Sequence, residues 1–284
     1  MRIGVVMPQT EIGSDPAAVR TYVEGVESLG YAHVAVYDHV LGADPSVHQG
    51  WRGPYDIDTT FHEPFVTFGF VAALCDLELV TSIVILPQRQ TALVAKQAAE
   101  VDLLSGGRFR FGVGVGWNPV EYEALGEDFS TRGRREEEQI DLLRRLWTER
   151  SVTFEGEFDR VTGAGLAPMP VQQPIPIWLG GSSDAAYRRI GRLGDGWFPQ
   201  VVPGERLEAA LSTIAEAAEG AGRDPGSIGM EGRVSWTADG GLERARDHLG
   251  RWESAGASHV SINTMGAGFA SVDQHLDALA QIVQ

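Results

Sequence analysis

A chain of 284 residues, 43% of them hydrophobic, can bury a large core and fits one α/β barrel or two domains of roughly 140 residues each. Its formal net charge of −16 argues against a nucleic-acid partner, because neutralising phosphates needs basic groups, and any anionic ligand would need a local positive site. No apolar run approaches the roughly 18 residues of a membrane span, no signal peptide opens the chain, and Cys75 has no second cysteine to pair with, so the expected location is cytoplasmic, without a membrane partner.

Strand-like runs cover Arg2–Met7, His33–Tyr37, Leu79–Leu86, Phe109–Val115, Ile175–Leu179, Gly196–Pro199, Ile228–Ser235 and Val260–Ile262. Helical periodicity separates them. Val19, Val23, Val26 and Leu29 recur at three- and four-residue spacing before Gly30, which suits a C-terminal cap. Pro64–Leu77 and Thr91–Leu104 follow, then a helix carrying Ile140, Leu143, Leu146 and Trp147 behind the acidic run Glu136–Glu138. Ala185–Leu193, Glu205–Ala221, Leu242–Ala255 and Val272–Ile282 complete the alternation. Continuous apolar strands such as Ser82-Ile83-Val84-Ile85-Leu86 are those of a buried parallel sheet. Eight strand–helix units predict one (β/α)₈ TIM barrel over residues 1–284. A doubly wound open sheet would put a glycine fingerprint after its first strand, where this chain has Pro8-Gln9-Thr10-Glu11.

Two inserts interrupt the rhythm. The stretch 41–62 follows strand two and so belongs to the functional face, as a lid candidate; 151–174 precedes strand five and should leave from the opposite face. Strand two ends in Tyr37-Asp38-His39, and a histidine there can exchange protons near neutral pH or merely satisfy the adjacent carboxylate. Strand four carries Gly112, Gly114 and Gly116 at every second position, then Trp117 and Asn118. Missing side chains on one strand face would admit a flat ring or phosphate, or simply allow tight packing inside the barrel. Strand five ends in Gly180-Gly181-Ser182-Ser183 just before a helix, where backbone N–H groups can converge on an anion or the serines can cap the helix. Arg52 and Arg89, near the functional face, could meet an anionic substrate or an acidic coenzyme tail, and Arg188 and Arg189 could add charge at the strand-five turn, but all four are expected on solvated surface, as are His248 and His275. Metal-ligand spacings and a nucleophile elbow are missing from the sequence, and no metal is expected.

Taken in order, Leu86-Pro87-Gln88-Arg89, Ala95-Lys96-Gln97-Ala98-Ala99, Asp102-Leu103-Leu104-Ser105-Gly106-Gly107-Arg108-Phe109, Gly112 to Trp117, Pro176 to Gly181 and Gly194-Asp195-Gly196-Trp197 resemble the signature of the luciferase-like flavin and deazaflavin oxidoreductases over essentially the whole chain. The resemblance implies a bacterial-luciferase-type barrel holding coenzyme F420 or, alternatively, FMN. With F420 the implied activity is hydride transfer to or from a small-molecule substrate under the 41–62 loop; with FMN it is monooxygenation. A barrel that binds the coenzyme without turnover is the third reading. It further implies that Asp38 contacts the coenzyme and His39 handles the proton. Ile83 and Val84 would flank a non-prolyl cis peptide backing the ring, with Gly114, Val115, Gly116, Trp117, Asn118, Gly180, Gly181, Ser182 and Ser183 holding ring edge and phosphate. Members of the family often form a homodimer. Sugar-phosphate dehydrogenases of the family carry a carboxylate where this chain has Trp117, with Glu121 a turn further on.

Overall fold

In the computed structural model, which describes residues 1–237 and 241–283, parallel strands close into a ring of eight staves. They are β1 (Arg2–Val6), β2 (His33–Val36), β3 (Glu78–Thr81) continued by β4 (Val84–Ile85), β5 (Phe109–Gly114), β8 (Ile177–Gly181), β9 (Gly196–Pro199), β10 (Gly229–Ser235) and β11 (His259–Asn263). β1 pairs with β2 on one side and with β11 on the other, Arg2 opposite His259, which closes the barrel. Helices α1 (Pro16–Ser28), α2 (Pro64–Val71), α3 (Thr91–Leu104), α4 (Pro119–Ala124), α5 (Arg132–Thr148), α6 (Asp184–Leu193), α7 (Glu205–Gly220), α8 (Gly241–Ser254) and α9 (Val272–Val283) fill the connections. Among the described residues this is the expected (β/α)₈ barrel.

The third stave departs from the single strand expected over 79–86. On it, Val80 pairs with Arg110 and Val84 with Val113, so four steps face three on β5. One residue is extra and the stave bulges. The non-prolyl cis peptide lies here, at Ser82–Ile83 and not at Ile83–Val84 as expected. Val84 has already rejoined the ladder and is buried in the core.

α2 stops at Val71 although the apolar pattern continues to Leu77, because Cys75 and Leu77 still pack into the core from the loop that follows. The 151–174 insert forms an antiparallel hairpin of β6 (Val152–Glu155) and β7 (Arg160–Ala164). Its tip climbs the barrel wall: Glu138, early in α5, accepts the Glu157, Phe158 and Asp159 amides, and Asp159 accepts the Thr91 hydroxyl.

The barrel interior is layered. At the N-terminal ends of the strands, Arg110 lies between Glu78 and Glu231, His33 bonds Glu231 at 3.0 Å and Ser261 at 2.9 Å, and the Trp178 ring covers the guanidinium at 4.3 Å. Burying these charges is tolerable only because each is paired. Above them Val6, Ala35, Val80, Trp178 and Phe198 form an apolar plug, with Tyr37, Ile83 and Met265 resting on it. The open cleft begins on this last layer. His275 is fully buried against Thr264 and Phe269, not on the surface as expected, and burial lowers its pKa to about 4; His248 is half-buried.

Candidate active site

Two adjoining hollows open at the C-terminal ends of the strands. A cleft of about 430 Å³ is lined by residues that include Tyr37, His39, Ile83, Trp117, Ser182 and Arg233. A chamber of about 360 Å³ lies beneath the 41–61 segment, between Leu41, Ile57, Phe61 and Asn118. His39, Tyr55 and Trp117 line both, and so form the partition.

His39 is caged by the rings of Phe61, Tyr55 and Trp117, with centroids 4.7, 5.0 and 5.6 Å away. Its Nδ1 lies 3.3 Å from Oε1 of Glu121, a fully buried carboxylate on α4 that also accepts the Val40 amide at 2.9 Å and the Leu41 amide at 3.3 Å. Burial works against the Glu121 charge, yet the His39 ring and these two amides hold its carboxyl below the ordinary value. The carboxylate is acceptor-only, so Nδ1 carries the hydrogen and the neutral ring keeps its lone pair on Nε2. Nε2 has no hydrogen-bond partner among the described residues.

Asp38 lines the cleft, but both its oxygens are engaged: one accepts from Arg89 at 2.8 Å, the other from the Ile85 amide at 3.0 Å. Burial raises its pKa in spite of Arg89. The carboxylate therefore props the bulged stave. Arg89 is no surface residue; it bridges Asp38 and Glu63.

The glycines answer to the bulge. A Cβ on Gly114 would stand 2.8 Å from Ile83 Cδ1, one on Gly180 3.2 Å from Ile83 Cγ2, and one on Gly116 2.7 Å from Ile85 Cγ2; Gly112 packs against the Thr81 carbonyl. Tight packing thus accounts for the alternation, and it brings Ile83 to the cleft floor with Gly114, Val115, Gly116, Gly180 and Gly181 around it. Val84 faces the core and Ile85 takes its place at the cleft. Asn118 is buried as the N-cap of α4 and borders the chamber instead of the cleft. Ser183 caps α6 through the Ala186 amide, while the Ser182 and Ser183 amides donate to no other described residue. Arg188 is exposed as expected, but Arg189 is buried on Glu136 and Glu137 and borders the cleft.

The sequence model of the luciferase-like monooxygenase family matches residues 1–282. The chain belongs to this family. Within it, an uncharacterised protein of Mycobacterium tuberculosis is 34% identical over 234 residues, 79% of each chain. An F420-dependent glucose-6-phosphate dehydrogenase of Segniliparus rotundus is 30% identical over 237 residues, 79% of this chain and 66% of that one. An FMNH2-dependent dimethylsulfone monooxygenase of Pseudomonas putida is 34% identical over 164 residues, 56% of this chain and 45% of that one. A solved F420-dependent secondary alcohol dehydrogenase, carrying an F420–acetone adduct, superposes with a TM-score of 0.81 at 18% identity, covering 99% and 97% of the two chains, a likeness of fold. This luciferase-like barrel is thus an oxidoreductase by family, and F420 and FMN both occur among its relatives. No helix among its described residues is long and apolar enough to cross a membrane.

Sequence reading did not pair Glu121 with His39, and did not bring Tyr37, Tyr55, Phe61 and Arg233 to the site. For Glu121 the only signal was a carboxylate one turn past the glycine strand. Tyr37 adjoins the Asp38-His39 pair and Tyr55 and Phe61 belong to the 41–62 insert, so their neighbourhood was legible but not their contacts, whereas Arg233 on β10 meets them only through barrel closure.

Proposed function

We propose that this luciferase-like barrel transfers a hydride between coenzyme F420 and a small organic substrate, with His39 as the proton donor or acceptor. The observation that carries the reading is the dyad: His39 stands in the partition between cleft and chamber, its Nδ1 fixed by Glu121 and its Nε2 left for a reacting group.

The cleft fits a flat ring. Ile83, lifted by the bulge, offers an apolar floor, Trp117 and Tyr55 wall one side, and glycine backbone forms the rim. The Ser182 and Ser183 amides, at the N-terminus of α6, suit a phosphate. When bound there, F420 supplies a hydride donor or acceptor at carbon five. The protein's part is to seat the ring on Ile83, exclude water behind the 41–61 segment, and hold a proton at His39 Nε2. Support for the deazaflavin comes from the Asp38-His39 pair of the family's deazaflavin enzymes and from the Segniliparus relative.

The Pseudomonas relative favours FMN and monooxygenation as the competing reading. Fluorescence-quenching titrations with F420 and with FMN separate the two. F420 binding with FMN at least about tenfold weaker is expected, and tight FMN binding with no response to F420 would overturn the proposal. Coenzyme bleaching during turnover, tested over a panel of alcohols and ketones, separates an enzyme from a coenzyme-binding barrel.

A further inference from the structure

Arg233 stands at the barrel mouth on the interior face of β10, two residues above the buried Glu231. It is exposed to the cleft, and among the described residues it makes no ion pair. Its Nη1 donates to the Tyr37 hydroxyl at 3.3 Å, so the side chain reaches across the mouth from β10 toward the end of β2. Among the described residues Asp38 is the one carboxylate lining the cleft, and it is already engaged by Arg89 and Ile85.

The strand order gives this cation a direction. With the ring ordered β1, β2, β3/β4, β5, β8, β9, β10, β11, β10 lies four staves from β3/β4 either way round, diametrically opposite the bulge. A ring seated on Ile83 would turn its far face toward Arg233. In a chain of net charge −16, a guanidinium with no carboxylate partner among the described residues is a selective feature there, since arginine's planar fork matches an oxyanion with two parallel hydrogen bonds.

We infer that Arg233, steadied by Tyr37, is a binding point for an oxyanion, a carboxylate or phosphate group, carried by the substrate. Assigning that anion to the substrate depends on the ring placement proposed above; the anion site itself does not. The same chemistry could come from the coenzyme's own acidic tail, and the experiment separates the two sources.

Calorimetric titration with benzoate and with inorganic phosphate, at constant ionic strength and with and without saturating F420, is run on the wild type, Arg233→Gln and Arg233→Lys. Thermal melting checks that all three are folded. The wild type should bind at least one of the anions, with affinity unchanged by F420. Arg233→Gln should lose roughly tenfold or more, and Arg233→Lys less, as the charge survives without the fork. F420 affinity should stay within about twofold in both variants. Absence of anion binding in the wild type, or equal binding in Arg233→Gln, overturns the site. Competition between F420 and the anion binding that Arg233→Gln removes, or loss of F420 affinity in Arg233→Gln, assigns Arg233 to the coenzyme and overturns the substrate role. An anion site that depends on Arg233 in a protein that binds FMN and ignores F420 overturns the choice of coenzyme and upholds Arg233.

Discussion

Oε1 of Glu121 serves three donors at once: the His39 ring at 3.3 Å, the Val40 amide at 2.9 Å and the Leu41 amide at 3.3 Å. One buried atom therefore fixes both the tautomer of His39 and the path of the chain leaving strand two. The two functions respond differently to substitution. Glu121→Gln keeps an acceptor oxygen but loses the charge that stabilises an imidazolium, so turnover should fall about 10–100-fold with F420 affinity kept. Glu121→Ala also strands two amides, costing about 1–3 kcal/mol of stability per unsatisfied group. His39→Ala should reduce turnover on the order of 10²–10⁴-fold without weakening coenzyme binding. Steady-state kinetics beside quenching titrations read both effects, and unchanged turnover in His39→Ala removes it from the mechanism.

Asp38 and Arg89 form the second coupled pair. Removing the cation in Arg89→Met leaves the Asp38 carboxylate buried and uncompensated, which should cost about 3–5 kcal/mol in urea unfolding. The double variant Asp38→Asn/Arg89→Met should recover part of that loss, because no buried uncompensated charge remains, Glu63 being open to solvent. A double variant no more stable than Arg89→Met alone would show that Arg89 acts through its packing on Phe65, 5.6 Å from its guanidinium carbon, and not through the ion pair.

These pairs show where the sequence stops being readable. Alternation of apolar strands with 3.6-period helices is local, so the barrel and its strand-end motifs could be read directly. Glu121 lies 82 residues beyond His39 and Arg89 lies 51 beyond Asp38. Such pairings exist only once the staves are in register. The glycines of β5 were legible as an absence of side chains, but what fills the space, Ile83 from a bulge one residue long, follows from mismatched register. The same holds for Arg189 and His275: helical spacing showed a polar residue, and only packing showed that it faces inward.

Gly114 and Ile83 should prove interdependent. A methyl at position 114 would press on Ile83 Cδ1, the nearest atom at 2.8 Å, and displace the floor of the cleft. Gly114→Ala is expected to destabilise by about 1–3 kcal/mol and to weaken coenzyme binding on the order of tenfold. Ile83→Val removes the Cδ1 methyl. The double variant should therefore be more stable than the sum of the single effects, by about 0.5–3 kcal/mol of coupling. Strict additivity would mean that the β5 backbone moves instead of Ile83.

The last pair couples the inner wall of the cleft to pH. Glu136 is fully buried, with Oε1 lacking a hydrogen-bond partner among the described residues and Oε2 3.2 Å from Arg189 Nη1. Burial raises its pKa to about 7 against the opposing pull of Arg189, and neighbouring Glu137 adds to the rise. In the unfolded chain a glutamate titrates near 4.3. Between these values the unfolded chain has released the proton that the folded one keeps, so stability should decline as pH climbs from about 4.3 to about 7 and level off above it. The full effect is roughly 4 kcal/mol at most, each pKa unit being about 1.4 kcal/mol. Glu136→Gln should abolish that share of the pH dependence. Arg189 would not be stranded, because it also pairs with Glu137 at 3.1 Å. Urea unfolding of both proteins at pH 5, 6, 7 and 8 measures the difference. Parallel stability curves would mean that Glu136 stays ionised beside Arg189, and that the two form a permanent ion pair instead of a titrating one.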